Sequence, residues 1–167
     1  IEDLQISDGQ FGMLSGLAFA LIYTTLGIPI ARLADISNRR NIIAISITIW
    51  SVMTAVCGAA QNFAQLFMAR FGVGVGEAGG SPPAHSIVSD IFPANQRATA
   101  LSIYSLGVYG GILVGTVGGA YLVRYFDWRT AFVVVAIPGI FLAALVRFVI
   151  KEPPRGMAES RKDVAPP

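Results

Sequence analysis

The sequence has few charged residues. Asp, Glu, Lys and Arg make up 13% of its 167 residues, whereas a soluble domain carries about 25%. That density leaves too little polar surface to cover a water-soluble globule, because 54% of the residues are hydrophobic. The formal net charge is only +2, so no basic field favours a nucleic-acid partner. The composition therefore predicts a membrane protein.

Cysteine and histidine are scarce as well, with one residue of each type, Cys57 and His85. One cysteine forms neither an intrachain disulfide nor a cysteine-based metal site. We interpret His85 as a structural residue, and no nucleophile is matched with a base. The glycines of residues 72–76 are not followed by the Gly-Lys-Ser/Thr of a phosphate-binding loop. The sequence predicts no enzyme, no cofactor, no metal site and no ATP-driven mechanism.

Five long apolar segments account for most of the chain. Each holds the roughly 20 residues needed to cross a bilayer, and together they comprise about residues 11–33, 41–60, 63–88, 98–123 and 130–150. Their apolar runs are continuous, which favours helices over the alternating strands of a barrel. The sequence predicts an all-α, polytopic transmembrane helix bundle over residues 1–150. A charged, proline-rich linker, which is predicted to be disordered, follows over residues 151–167.

The distribution of Lys and Arg predicts the orientation of these helices. Five spans place the two chain ends on opposite sides of the membrane. One side would carry seven cations: Arg39, Arg40, Arg97, Lys151, Arg155, Arg161 and Lys162. The other side would carry Arg124 and Arg129. Because cytoplasmic loops are enriched in cations, the linker is predicted to be cytoplasmic.

The third segment carries two charges within the predicted span. Arg70 and Glu77 lie seven residues apart, so they share one helical face, and Ser81 falls on the same stripe. A charged side chain at the bilayer centre costs at least ~2.5–3.5 kcal/mol. Two interpretations stay open. The stripe lines a pathway for protons or substrate, or Arg70 and Glu77 form an internal bridge that only fixes packing.

The same segment continues with Gly79-Gly80-Ser81-Pro82-Pro83. Proline lacks a backbone N–H and its ring clashes with the preceding turn, so a kink or a break is predicted here. Broken helices often form binding sites in transporters. The alternative is a kink that merely shapes the bundle.

The fourth segment carries glycines at helical spacing. Gly107, Gly111 and Gly115 form two overlapping GxxxG pairs. Small residues at this spacing let helices approach closely. These glycines are therefore predicted to pack against a neighbouring helix, and a sliding contact during transport is compatible with that packing.

The segment Ala31-Arg32-Leu33-Ala34-Asp35-Ile36-Ser37-Asn38-Arg39-Arg40 resembles the signature loop between helices two and three of the major facilitator superfamily. That signature reads Gly-x-Leu-x-Asp-x-x-Gly-Arg-Arg/Lys. Ala31 and Asn38 replace its glycines, and Asn38 is a mild change because Asn tolerates the left-handed conformation that a glycine would supply. Arg70 matches the arginine of the fourth-helix motif. Residues 70–78, 90–93 and 151–156, together with Arg97, resemble the spinster-type branch.

This resemblance implies twelve helices in two six-helix halves, with the substrate site at mid-membrane between them. The chain would be a half-bundle of helices two to six, lacking its first helix and its C-terminal partner half. Asp35, Arg39 and Arg40 would form a cytoplasmic conformational latch. Asp90 would pair with the same loop, and Arg97 would belong to the same latch.

The predicted function is secondary active transport of a small organic solute by alternating access, with Glu77 as proton carrier. Arg70 would tune Glu77 or hold an anionic group of the substrate. The substrate class stays open between an organic anion and a lipid-like amphiphile. The alternatives are a non-transporting receptor or scaffold on the same fold, and a passive uniporter. The predicted partners are the solute, protons, the bilayer and the remaining parts of the same protein, in the plasma membrane or a bacterial inner membrane.

Overall fold

The structure, a computed structural model, describes residues 7–160. All regular elements in this part of the chain are helices: α1 (Asp8–Gly12), a π-helical turn (Met13–Leu17), α2 (Ala18–Ile36), α3 (Arg39–Ala59), α4 (Phe63–Ala78), α5 (Ser81–Ile91), α6 (Ala94–Tyr125), α7 (Trp128–Val149) and α8 (Met157–Ser160). The predicted all-α class is confirmed. Arg161 and Lys162, two of the cations used to predict the orientation, lie outside the described residues.

Three helices, α3, α6 and α7, are by length and composition capable of crossing a membrane. The other two predicted spans are interrupted. The first continues from α1 through the π-helical turn into α2, and the third is divided between α4 and α5. Counted in this way, the chain is a partial half-bundle of five membrane helices.

The connection between α2 and α3 is shorter than the signature loop suggests. The first of these helices extends to Ile36, and the second begins at Arg39, so Arg39 and Arg40 are helical. Asn38 has φ −74° and ψ 109°, and its side chain accepts a hydrogen bond from the amide of Asn41. Asn38 therefore does not use the left-handed conformation that Asn would tolerate. The residue is an extended N-cap, which satisfies an amide that the first turn leaves unpaired.

Helix α3 lies at the centre, between α4 and α7. Its Cys57 joins Leu66, Ala69 and Val73 of α4 in a buried core. At its far end Arg129 of α7 donates hydrogen bonds to the carbonyl oxygens of Gly58, at 3.2 Å, and Ala60. A cation placed there also complements the negative end of the α3 dipole.

Helix α6 is the least buried element, since none of its 32 residues is buried. A side chain added at Gly107, Gly111 or Gly115 would meet nothing within 4 Å. The described part of the chain therefore brings no helix against these glycines, contrary to the packing expected from their spacing. Their role toward segments beyond the described residues stays a prediction.

Candidate functional site

The predicted interruption of the third span is a turn between two helices. Helix α4 ends at Ala78 and α5 begins at Ser81. In the turn the amide of Gly79 donates to the Gly76 carbonyl at 3.2 Å, and that of Gly80 to the Glu77 carbonyl at 3.1 Å. The two prolines occupy the first turn of α5, where a backbone N–H has no helical partner to lose. They therefore begin a new helix.

The same prolines leave acceptors without helical donors. Pro82 and Pro83 stand four residues after Ala78 and Gly79. In a continuous helix the residues at positions 82 and 83 would donate their amides to the carbonyls of Ala78 and Gly79. Proline has no N–H, so these two carbonyl oxygens receive no i to i−4 hydrogen bond. Irregular backbone at membrane depth persists only where protein or water satisfies it.

Small residues allow this junction to pack directly on α3. A Cβ added at Gly76 would lie 2.6 Å from the Trp50 amide nitrogen and 2.9 Å from the Ser46 carbonyl oxygen. At Gly79 it would collide with the Ser46 side chain. Since real Cβ atoms do not approach so closely, glycine at these positions fixes the distance between α3 and the junction.

The two intramembrane charges lie just before this turn. Arg70 and Glu77 are both half-buried, and their spacing places them on the side of α4 that carries buried Leu66 and Val73. Within the described residues no hydrogen bond or ion pair joins them. Ser81, the third residue of the predicted stripe, is half-buried at the start of α5.

A second group of charges meets where α3 begins and α7 ends, which we call the Arg39 end of the bundle. Arg39 is only 1% exposed. It forms ion pairs with Asp90 of α5 and, at 2.8 Å, with Glu152 after α7. It also donates to the Ser86 hydroxyl at 2.9 Å and to the Pro153 carbonyl at 3.0 Å. We call Arg39, Asp90 and Glu152 the Arg39 cluster.

The segment that follows α7 packs across this cluster through hydrogen bonds. Besides binding Arg39, Glu152 accepts a hydrogen bond from the Arg40 amide at 2.8 Å. Arg155 donates to the carbonyls of Ala34 and Ser37, at 2.8 and 2.9 Å. The first residues of the predicted linker therefore belong to the folded bundle.

Burial and charge oppose each other at the two acids of the Arg39 cluster. Burial alone would raise the pKa of Asp90, but hydrogen bonds from Arg39 and the Gly156 amide, with the charges of Arg39 and Arg155, hold it below its usual value. Burial alone would raise the pKa of Glu152 as well. Hydrogen bonds from Arg39 and the Arg40 amide again outweigh it, so the pKa of Glu152 is also lowered. Both carboxylates are thus fixed in their charged form.

The structure brings together only some of the residues predicted to form a latch. Arg39 and Asp90 meet, whereas Asp35 is exposed and has no hydrogen bond or ion pair with any described residue. The guanidinium of Arg40 binds the Asn41 side chain at 3.2 Å and the Ile150 carbonyl at 3.4 Å. Arg97 donates to the Phe92 carbonyl at 3.1 Å, a contact at the connection between α5 and α6. Glu152 and Arg155 were not predicted.

A family model described as Major Facilitator Superfamily matches residues 1–166. An "MFS-type efflux pump" of Mycolicibacterium smegmatis is 35% identical over 149 residues, which cover 89% of this chain and 35% of that protein. "Protein spinster homolog 1" of Xenopus tropicalis is 34% identical over 165 residues, covering 97% and 31%. The chain spans about a third of the length of these curated relatives.

Among solved structures, a bacterial homolog to the human lysosomal transporter spinster, in an inward-facing and occupied conformation, superposes with a TM-score of 0.80. It is 40% identical and covers 95% of this chain, which in turn covers 40% of it. The resemblance inferred from the signature loop and from residues 70–78 is thereby confirmed.

Proposed function

The chain belongs to the major facilitator superfamily, and on that premise we propose that it forms part of a proton-coupled secondary transporter for a small organic solute. The observation that carries the proposal is the half-buried pair of Arg70 and Glu77 in a membrane helix that breaks immediately afterwards. Charges at this depth are expensive and functional by default. A helix break adds backbone carbonyls to the same region of the bundle.

Glu77 is the proposed proton carrier because it is not committed elsewhere. Asp90 and Glu152 each accept hydrogen bonds from a buried guanidinium and from a backbone amide. Among the described residues no hydrogen bond or ion pair engages Glu77, and Arg70 shares its helical face. Burial disfavours a charged carboxylate and a neighbouring cation favours it, so access of water to the site shifts the balance between the two. Arg70 tunes this balance or holds an anionic group of the solute.

The Arg39 cluster is the proposed latch. It ties α3, α5 and the segment after α7 to one another through a single guanidinium. Rocking of the bundle during alternating access would need these contacts to be kept as a unit or broken together. The same proposal places the Arg39 end in the cytoplasm. The substrate is an organic anion or a lipid-like amphiphile, two classes that Arg70 could serve through a carboxylate or phosphate group.

The test replaces Glu77 in the whole protein and measures two modes of transport. Glu77→Gln keeps the size and hydrogen-bonding capacity of the side chain but removes the titrating group. If Glu77 carries the proton, pH-driven uphill uptake is lost while counterflow exchange survives. The matched control is Asp127→Asn, which neutralises a fully exposed carboxylate and keeps an N-cap residue at α7.

Four outcomes decide between the alternatives. Loss of both transport modes together with reduced stability would make Glu77 a structural partner of Arg70. Undiminished pH-driven uptake in the Gln variant would exclude the proton role, and uptake without any pH dependence would indicate a uniporter. No flux of any organic anion or amphiphile by the folded wild type would favour a receptor or scaffold.

A further inference from the structure

A groove of about 380 Å³ runs along α3 and α7 close to the Arg39 end. Its floor is made of small buried residues, Ala44 and Ala143, and larger apolar side chains such as Ile45, Ile140 and Phe148 form its walls. The hydroxyl of Thr48, which also lines it, already donates to the Ala44 carbonyl at 2.8 Å. The groove therefore presents a hydrocarbon surface, apart from one charged residue.

That charged residue is Arg147, which lies in the last turn of α7. It is exposed, and its guanidinium carbon lies 5.8 Å from the centre of the Phe148 ring. In an α-helix each residue rises by about 1.5 Å. Arg147 thus lies only about 3 Å along the helix axis from the end of α7 at Val149, close enough for its long cationic side chain to reach the headgroups of a bilayer that α7 spans.

Two more cations stand at the same end of the groove. Arg40 reaches across from α3 to the Ile150 carbonyl at 3.4 Å, and the exposed Lys151 follows immediately. The acid next in sequence, Glu152, shares the single charge of Arg39 with Asp90, so the carboxylate charge left over offsets only one of these three cations. The mouth of the groove therefore has an excess of positive charge.

We propose that this groove binds an anionic glycerophospholipid of the adjacent leaflet. One acyl chain lies over Ala44 and Ala143, and the phosphate is held by Arg147 with Lys151 and Arg40 around it. Basic pockets between membrane helices are known to suit such headgroups. The apolar length of the groove favours a lipid over a soluble anion, which would use only the cations. The site is separate from the Arg70–Glu77 pair of the proposed function, and its test does not depend on transport.

The experiment places the whole protein in nanodiscs of phosphatidylcholine with a minority of phosphatidylglycerol. Lipids retained after gentle extraction are counted by native mass spectrometry. We expect the wild type to retain phosphatidylglycerol selectively, and Arg147→Gln to weaken this retention about fivefold, the contribution expected of one cation near the membrane surface. Arg147→Lys should keep most of it.

Two further variants separate the site from general surface charge. Arg124→Gln is the matched control, because Arg124 is also exposed in the last turn of its helix, with its guanidinium 5.8 Å from the Tyr125 ring. It should leave retention unchanged. Ala144→Leu fills the groove without changing any charge and should lower retention.

Several outcomes would overturn the proposal. Equal loss in Arg124→Gln and Arg147→Gln would indicate unspecific attraction to charge. Unchanged retention in both Arg147→Gln and Ala144→Leu would mean that Arg147 only snorkels to the membrane surface. Complete displacement of phosphatidylglycerol by soluble glycerol phosphate would indicate an anion site with no role for the acyl chain. Melting curves of all variants show whether each protein is folded.

Discussion

Replacing Arg39 with glutamine tests the Arg39 cluster most directly. The side chain is 1% exposed and donates four hydrogen bonds, to Glu152, Ser86, Asp90 and the Pro153 carbonyl. Glutamine is shorter and neutral, so it satisfies at most part of this set. The two carboxylates then lose the cation that lies between them.

The expected loss of unfolding free energy depends on the hydrogen bonds that the two carboxylates retain. Removing one partner of a buried ion pair costs about 3–5 kcal/mol, because the other charge is left without compensation. Here the side chains of Asp90 and Glu152 are 16% and 22% exposed, and each retains a backbone amide donor, from Gly156 and Arg40. We therefore expect the lower end, about 3 kcal/mol of the free energy of unfolding.

The free energy can be measured for the whole protein by reversible unfolding in detergent, followed by tryptophan fluorescence. Arg129→Gln is the matched control at the other end of α3, where the arginine binds two carbonyl oxygens and no carboxylate. Its loss should be smaller, about 1.5 kcal/mol. Combining Arg39→Gln with Glu152→Gln should recover part of the stability. Equal losses at the two ends of α3, or additive effects in the double variant, would refute a buried, coupled cluster.

Two further predictions concern pH and packing. The pKa values of Asp90 and Glu152 are lowered, so their contribution to stability is complete above the unfolded values near ~4 and is lost as the pH falls through the folded values. Titrating the unfolding free energy below about pH 5 should show a steeper decline in wild type than in Arg39→Gln, and parallel curves would contradict this assignment. Gly139→Ala should cost about 1–3 kcal/mol, because the added methyl group would collide with the Ser51 side chain. Adding Ser51→Ala should restore most of that loss in the same unfolding assay, since the Ser51 hydroxyl has no hydrogen-bond partner among the described residues, and no recovery would place the strain elsewhere.

The helices were predictable because the bilayer imposes a simple rule. Continuous apolar runs of about 20 residues have few alternatives in lipid. The segment 151–156 was misjudged for the opposite reason. Its charges and prolines are typical of a disordered linker, whereas Glu152 and Arg155 are ordered by acceptors and donors of residues more than 100 positions earlier. The glycine at position 156 was the local sequence feature compatible with a defined turn. In the structure its φ is +69°, a conformation that favours glycine.

Glycine spacing was a poor guide to helix contacts for a related reason. The GxxxG pairs of α6 match the rule for close packing, yet they face no described helix. Close approaches occur instead at other glycines, among them Gly76, Gly79 and Gly139, which oppose Ser46, Trp50 and Ser51 of α3. Spacing shows that a helix has a smooth face. It does not show which neighbour covers that face, because this depends on how the helices are arranged in three dimensions.

Helix α5 connects the two charged regions, and its shortness limits how they can move. It begins at the turn after Glu77 and ends beside Asp90, which binds Arg39. Its 11 residues span only about 16 Å, so we treat this helix as a rigid element. The turn at Gly79–Gly80 packs on Ser46 and Trp50, and the other end is held by Arg39, so both ends are anchored to α3. We therefore expect a displacement of α5 from α3 to break the Arg39–Asp90 pair or to open the turn beside Glu77, which would couple the two charged regions through this helix.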